Sequence, residues 1–303
     1  MSSPTPKPDR AGLRLVAFAG GLVLALAAGF GVGRLTGPVS APRSASAMPN
    51  MPGSTAVDES QPHSHGMTTT GTADQVGGLA LSASGYTLHP RAYTAGQPFT
   101  FTVDGPDRKP VTQFAINHDK PMHLVVIRRD LSGYQHLHPT MAPDGTWQVD
   151  LTLPAPGIWR AYADFVVNAA SGQVPLTLGT DLPVAGAYQP GELPAAGRES
   201  TVDGMSVTYE GTPQVGATAP LLFRVFRGGS PVTTLEKYLG AYGHLVVVRE
   251  GDLGYVHVHP EPDLAGGAVK FWLAAPSPGR YRMFFDFQVD GAVHTAAYTV
   301  VVS

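Results

Sequence analysis

The sequence predicts an all-β protein made by internal duplication: two tandem β-sandwich domains behind an N-terminal membrane helix and a disordered tether. Three observations predict it. Residues 123–139 return as residues 244–260, so His244, His257 and His259 follow His123, His136 and His138 at a constant offset of 121, and ten of the seventeen positions are identical. A repeat with a period near domain length means two copies of one fold rather than a solenoid. Short runs such as Leu79-Ala-Leu-Ser-Ala-Ser, Phe99-Thr-Phe-Thr-Val and Leu222-Phe-Arg-Val-Phe alternate between Gly, Pro, Asp or Asn, as half-buried strands do. No window beyond the first 34 residues carries a capped helical stripe.

Taken in order, residues 1–14 form a basic tail with Lys7, Arg10 and Arg14, and residues 15–33 form an uncharged run closed by Arg34. As a helix that run is about 28 Å long, close to bilayer thickness. The basic excess on its N-terminal side predicts a single-pass, uncleaved anchor with the rest of the chain extracytoplasmic. The alternative is a cleaved signal peptide ending near Ala45-Ser-Ala47, which lies far beyond Arg34 for such a site. Residues 34–76, rich in Pro, Ser, Ala, Thr and Gly, cannot bury enough apolar surface to order themselves, and read as a disordered linker. Met48, Met51, His63, His65 and Met67 within it are donors suited to copper, or incidental residues of a polar linker. Domain one is expected at 77–186, a linker at 187–197 and domain two at 198–303.

A second repeated block narrows the fold. Pro156-Gly-Ile-Trp159-Arg-Ala-Tyr-Ala-Asp164-Phe165 corresponds to Pro278-Gly-Arg-Tyr281-Arg-Met-Phe-Phe-Asp286-Phe287. A Pro-Gly step before an aromatic at the start of an alternating strand resembles the E–F corner of immunoglobulin-like sandwiches, and about 105 residues per copy fits seven short strands. Trp159, Ala161, Ala163 and Phe165 share one face of that strand; Arg160, Tyr162 and Asp164 share the other.

The histidine motif reads as strand, turn, strand. With the turn centred between Leu131 and Ser132, His136 lies opposite Ile127, His138 opposite Val125 and Thr140 opposite His123. The period of two then places all three histidines on one face, and His244, His257 and His259 likewise. Leu124, Val126 and Leu137, with Leu245, Val247, Val256 and Val258, make the better core face, so the histidines are expected to point outward from each domain beside Val125, Ile127, Val246 and Val248. If the strand after the Pro-Gly corner neighbours the first histidine strand, Asp164 and Asp286 join them. The expected metal residues are therefore His123, His136, His138 and Asp164 in one surface site, and His244, His257, His259 and Asp286 in another. His89, His118 and His294 lack counterparts in the other copy and read as loop or surface residues.

The chain has no cysteine, which excludes disulfides, thiolate zinc sites, iron–sulfur clusters and the blue-copper ligand set. A net charge of −3 gives no reason to expect nucleic acid as a partner. Three imidazoles suit Cu²⁺ or Zn²⁺ and disfavour Mg²⁺ or Ca²⁺. His-x-His with a further histidine on strands is also the pattern of carbonic-anhydrase-like zinc enzymes, but no repeated general base and no nucleophile or phosphate motif accompanies it, so a binding role is expected rather than an enzyme. The competing reading is an interaction or sensor ectodomain whose histidine clusters are structural or partner-facing. In layout (anchor, His/Met tether, small β-sandwich with imidazoles) the chain resembles bacterial extracytoplasmic copper-handling proteins such as periplasmic copper-resistance sandwiches. It also looks like anchored secreted proteins of high-GC actinobacteria. The first resemblance implies copper handling or homeostasis at the cell membrane. The ligand spacing of that family differs from the motif here, and no ligand position is carried over.

Overall fold

The computed structural model describes residues 76–303, all within one compact unit, Glu59–Ser303. The expected anchor and tether, with Met48, Met51, His63, His65 and Met67, lie outside the described residues. The described residues form strands, turns and bends, and no helix among them is long and apolar enough to cross a membrane.

Each half builds two sheets around its own core. In the first, a five-stranded sheet contains Tyr86–Pro90, Phe99–Asp104 and Trp147–Val149, and a second is ordered Gly172–Val184, Gly157–Ala169, His123–Arg128, Gln135–Leu137. In the second half, a seven-stranded sheet contains Met205–Glu210, Ala219–Arg227 and Val269–Ala275, and a four-stranded one is ordered Tyr255–Val256, His244–Arg249, Gly279–Val289, Ala292–Val302. Alternation selects what goes inside. Phe99, Phe101 and Val103 point from one sheet, and Leu124, Val126, Trp159, Ala161, Ala163 and Phe165 from the other, into the first core. Leu245, Val247, Tyr281, Met283, Phe285 and Phe287 fill the second.

A third apolar cluster lies between the halves. Val125, Ile127, Leu131 and Tyr162 of the first half pack with Val246, Val248, Leu253, Tyr255 and Phe284 of the second. The rings of Tyr134 and Phe284 stack at 4.1 Å, and the Tyr162 hydroxyl donates to the Leu253 carbonyl at 2.7 Å. The histidine-bearing faces thus point away from their own cores, as expected, but toward one another rather than to solvent. The reason is their apolar company: an exposed stripe of Val, Ile and Phe is stable only when covered.

The hairpin register differs from expectation by two residues on the return strand. Val125 pairs with His136 and Leu124 with Leu137; in the second half Val247 pairs with Val256. The turn is tightened early, because Leu131 takes positive φ and its N–H reaches the Arg128 carbonyl at 2.8 Å, while the Asp130 carboxylate accepts from the Ser132 N–H and hydroxyl. Gly133 completes it at φ +66°, where a Cβ would stand 2.4 Å from the Trp159 ring. A shift of two preserves parity, so the histidines keep their face.

Phe284 tests the packing of the halves. Phe284→Ala is expected to cost about 3–5 kcal/mol of unfolding free energy, as for a fully buried aromatic. Urea denaturation followed by tryptophan fluorescence measures it, and a loss below about 1 kcal/mol would show the face to be solvated.

Candidate metal centre

Both histidine strands begin after the same device. Asn117 and Lys120 exchange backbone hydrogen bonds across a two-residue turn whose central residues, His118 and Asp119, have φ of 47° and 58°. Tyr238 and Ala241 do the same around Leu239 and Gly240, at φ of 54° and 78°. Positive φ at both central residues is the type I′ hairpin geometry. The carbonyl opening each turn anchors the first histidine of its strand: His123 Nε2 donates to Asn117 O and His244 Nε2 to Tyr238 O, both at 2.9 Å. Neither carbonyl can donate, so in each neutral ring the lone pair lies on Nδ1.

His136 is oriented from the other half. Its Nδ1 donates to Asp286 Oδ2 at 2.9 Å, and the same oxygen accepts the Tyr134 hydroxyl at 2.8 Å. Asp286 Oδ1 accepts the Thr295 hydroxyl at 2.6 Å, so this buried carboxylate has three donors. The His136 lone pair is therefore on Nε2, which stands 3.1 Å from His123 Nδ1. Two imidazole lone pairs facing at that distance repel unless a cation or a proton lies between them. Two nitrogens on one Zn²⁺ or Cu²⁺ ion, each at about 2.0–2.1 Å, are about 2.9–3.4 Å apart. His138 supplies a third nitrogen, its buried Nε2 having no hydrogen-bond partner. The three ring centroids are 4.9–5.3 Å apart, near the about 5 Å expected around one tetrahedral ion. One donor atom from each of His123, His136 and His138 falls within 4.8 Å of the others. Behind two of these imidazoles stand a carbonyl and a carboxylate, the supports that orient metal-binding histidines.

Several sequence expectations change here. The histidines do not form a surface site: His123 and His244 are 6% and 7% exposed, because the other half covers their strands. Asp164 and Asp286 do pair with His123 and His244 across adjacent strands, yet Asp286 serves His136 of the opposite half. Asp164 accepts the Thr177 hydroxyl at 2.6 Å and lines the cavity shared by the halves. The second copy does not repeat the return strand of the first. After Val256 the chain crosses to the other sheet, where Val258, His259 and Pro260 pair with Leu273, Trp272 and Phe271. In the first half the crossing comes later, where Thr140 and Met141 pair with Gln148 and Trp147. His257 is left between strands and lines the cavity; the side chain of His259 lies outside the described set.

His118, read from the sequence as a loop or surface residue, lies in the turn before the histidine strand and also lines the cavity. Its ring stands edge-on to His244 with centroids 5.0 Å apart, and 6.2 Å from His123. The signal available was Asn-His-Asp-Lys, a turn directly before the histidine strand. His89 and His294, by contrast, pair with Asp104 and Asp203 away from the cavity.

Burial, with the neighbouring histidines, lowers the His118 pKa to about 4 and those of His138 and His244 to about 3, and also lowers that of His123. These rings are neutral at pH 7, the form in which imidazole binds metal. In the unfolded chain they titrate near 6.5. The unfolded state therefore binds more protons between those limits, and the stability conferred is complete above 6.5 and lost as pH falls toward 3. Without metal, the urea midpoint is expected to fall between pH 7 and pH 4.5. Replacing His118 and His138 together by Gln should flatten that dependence, whereas an unchanged slope would assign it to other groups.

A family model described as "Domain of unknown function (DUF8832)" matches the chain twice, over residues 78–181 and 200–303. No curated protein matches it. Among solved structures the chain is similar to an endo-fucoidan hydrolase from glycoside hydrolase family 107, at 12% identity over 72% of this chain and 43% of that one, with a TM-score of 0.19. A likeness that slight carries no argument about fold or activity. The two family matches together take in more than half of the residues, and the chain belongs to the DUF8832 family as two tandem copies.

Proposed function

We propose that this is a metal-binding protein, holding Cu²⁺ or Zn²⁺ on His123, His136 and His138. In this reading it is anchored by residues 15–33, with two immunoglobulin-like domains outside the cytoplasm, and acts in copper handling or homeostasis. The carrying observation is the 3.1 Å approach of His123 Nδ1 to His136 Nε2, each ring having its other nitrogen committed to an acceptor. The orphaned His138 Nε2 supports a third ligand. Three neutral nitrogens with no thiolate favour Cu²⁺ over Zn²⁺ by intrinsic affinity.

A second reading draws on the His136–Asp286 contact, which links the halves directly. There the cluster is a structural staple and a proton occupies the gap between the two rings.

Calorimetric titration of the full chain with Cu²⁺ and Zn²⁺ separates the two. Replacing His136 and His138 by Ala should remove one equivalent while leaving any binding by the tether. Asp286→Asn, which removes the charge behind His136 while keeping all three proposed ligands, should weaken that equivalent by about 10–100-fold. Identical isotherms for all three proteins would leave the staple reading.

A further inference from the structure

We propose that the cavity between the halves is a two-ion centre, in which a second Cu²⁺ or Zn²⁺ is held by His244 and His118, with His257 and Asp164 at its wall. This rests on the metal-binding reading above and extends it to residues of both halves.

His244 repeats the preparation of His123. Its Nε2 is committed to the Tyr238 carbonyl, so a neutral ring presents the Nδ1 lone pair. It is buried, and burial keeps it neutral. His118 stands at 5.0 Å between centroids, within the 4.9–5.3 Å spacing of the His123, His136 and His138 rings. His244 is 6.3 Å from His123 and 6.0 Å from His136, wider than every spacing in that triad. Those spacings set His244 outside the compact triad, and two ions about 3.5–4 Å apart can divide the rings between them. His118, His123, His136, His244, His257 and Asp164 all line one cavity. His118 and Asp164 come from the first half, His244 and His257 from the second, so the second position draws its donors from both copies.

His118 has no histidine equivalent in the second half, where Leu239 occupies the matching turn position. His118→Leu therefore introduces the residue that holds the same positive-φ position in the second half, which favours retention of the turn while removing the ligand. The experiment is Cu²⁺ titration of the full chain followed by electron paramagnetic resonance, for the natural protein, His118→Leu, His118→Leu with His244→Gln, and His136→Ala with His138→Ala. The natural protein should show a dipolar-coupled copper pair with a half-field transition. His118→Leu should weaken the second equivalent and the double variant should remove it, both retaining one uncoupled copper on the triad. The His136/His138 variant should lose the coupling and one equivalent. A single uncoupled copper in the natural protein, removed only by the His136/His138 substitutions, would overturn the two-ion centre while leaving the first reading intact. Coupling that survives the His118/His244 substitutions would also overturn it. No copper bound by the described residues in any variant would overturn both.

Discussion

The outward faces of the two histidine strands cannot be left to water. Val125 and Ile127 on one, and Val246 and Val248 on the other, share those faces with Tyr162 and Phe284 of the neighbouring strands. At roughly 25 cal/mol per Å² of apolar area, covering such a stripe is worth several kcal/mol, more than any single polar contact nearby. The halves therefore pack face to face, and whatever else lies on those faces is carried inside. That includes the imidazoles, at the end of each strand where the valines stop.

Burial then decides the chemistry. An imidazole removed from water resists protonation, and a neutral one needs its N–H satisfied. The Asn117 and Tyr238 carbonyls do this for His123 and His244, and Asp286 does it for His136. Each satisfied N–H leaves the lone pair on the opposite nitrogen, and those of His123 and His136 face each other. The metal hypothesis thus follows from hydrogen-bond accounting, with histidine content as its starting point only. Because Asp286 and Tyr134 come from different halves, the arrangement exists only while the halves are docked.

Much of this was legible in the chain, and its failures have physical causes. Parity placed His123, His136 and His138 on one face, because side-chain direction in a strand depends only on odd and even spacing. The strand adjacency assumed with the fold set Asp164 beside His123 and Asp286 beside His244, and both pairings form. The exact partners were not legible. Leu131 in a left-handed conformation and the Asp130 side chain set the turn, and alternation does not encode either. The earlier crossing after Val256 was also hidden, since alternation does not say which sheet a residue joins. The repeat does not single out His118, because a residue present in one copy alone carries no weight in that comparison, yet the turn that holds it is present in both. The facing of the two sites was not deducible either, although the excess of β-branched residues beside the histidines was its trace.

In the proposed function a metal ion bridges His123 Nδ1 and His136 Nε2. Anomalous diffraction at the copper and zinc absorption edges, on crystals of the full chain grown with each metal, tests it most directly. The account predicts a peak about 2.0–2.1 Å from both nitrogens, with His138 Nε2 turned to the same ion. A cluster with no anomalous peak and the two nitrogens still 3.1 Å apart would contradict it, leaving a proton where the metal was placed.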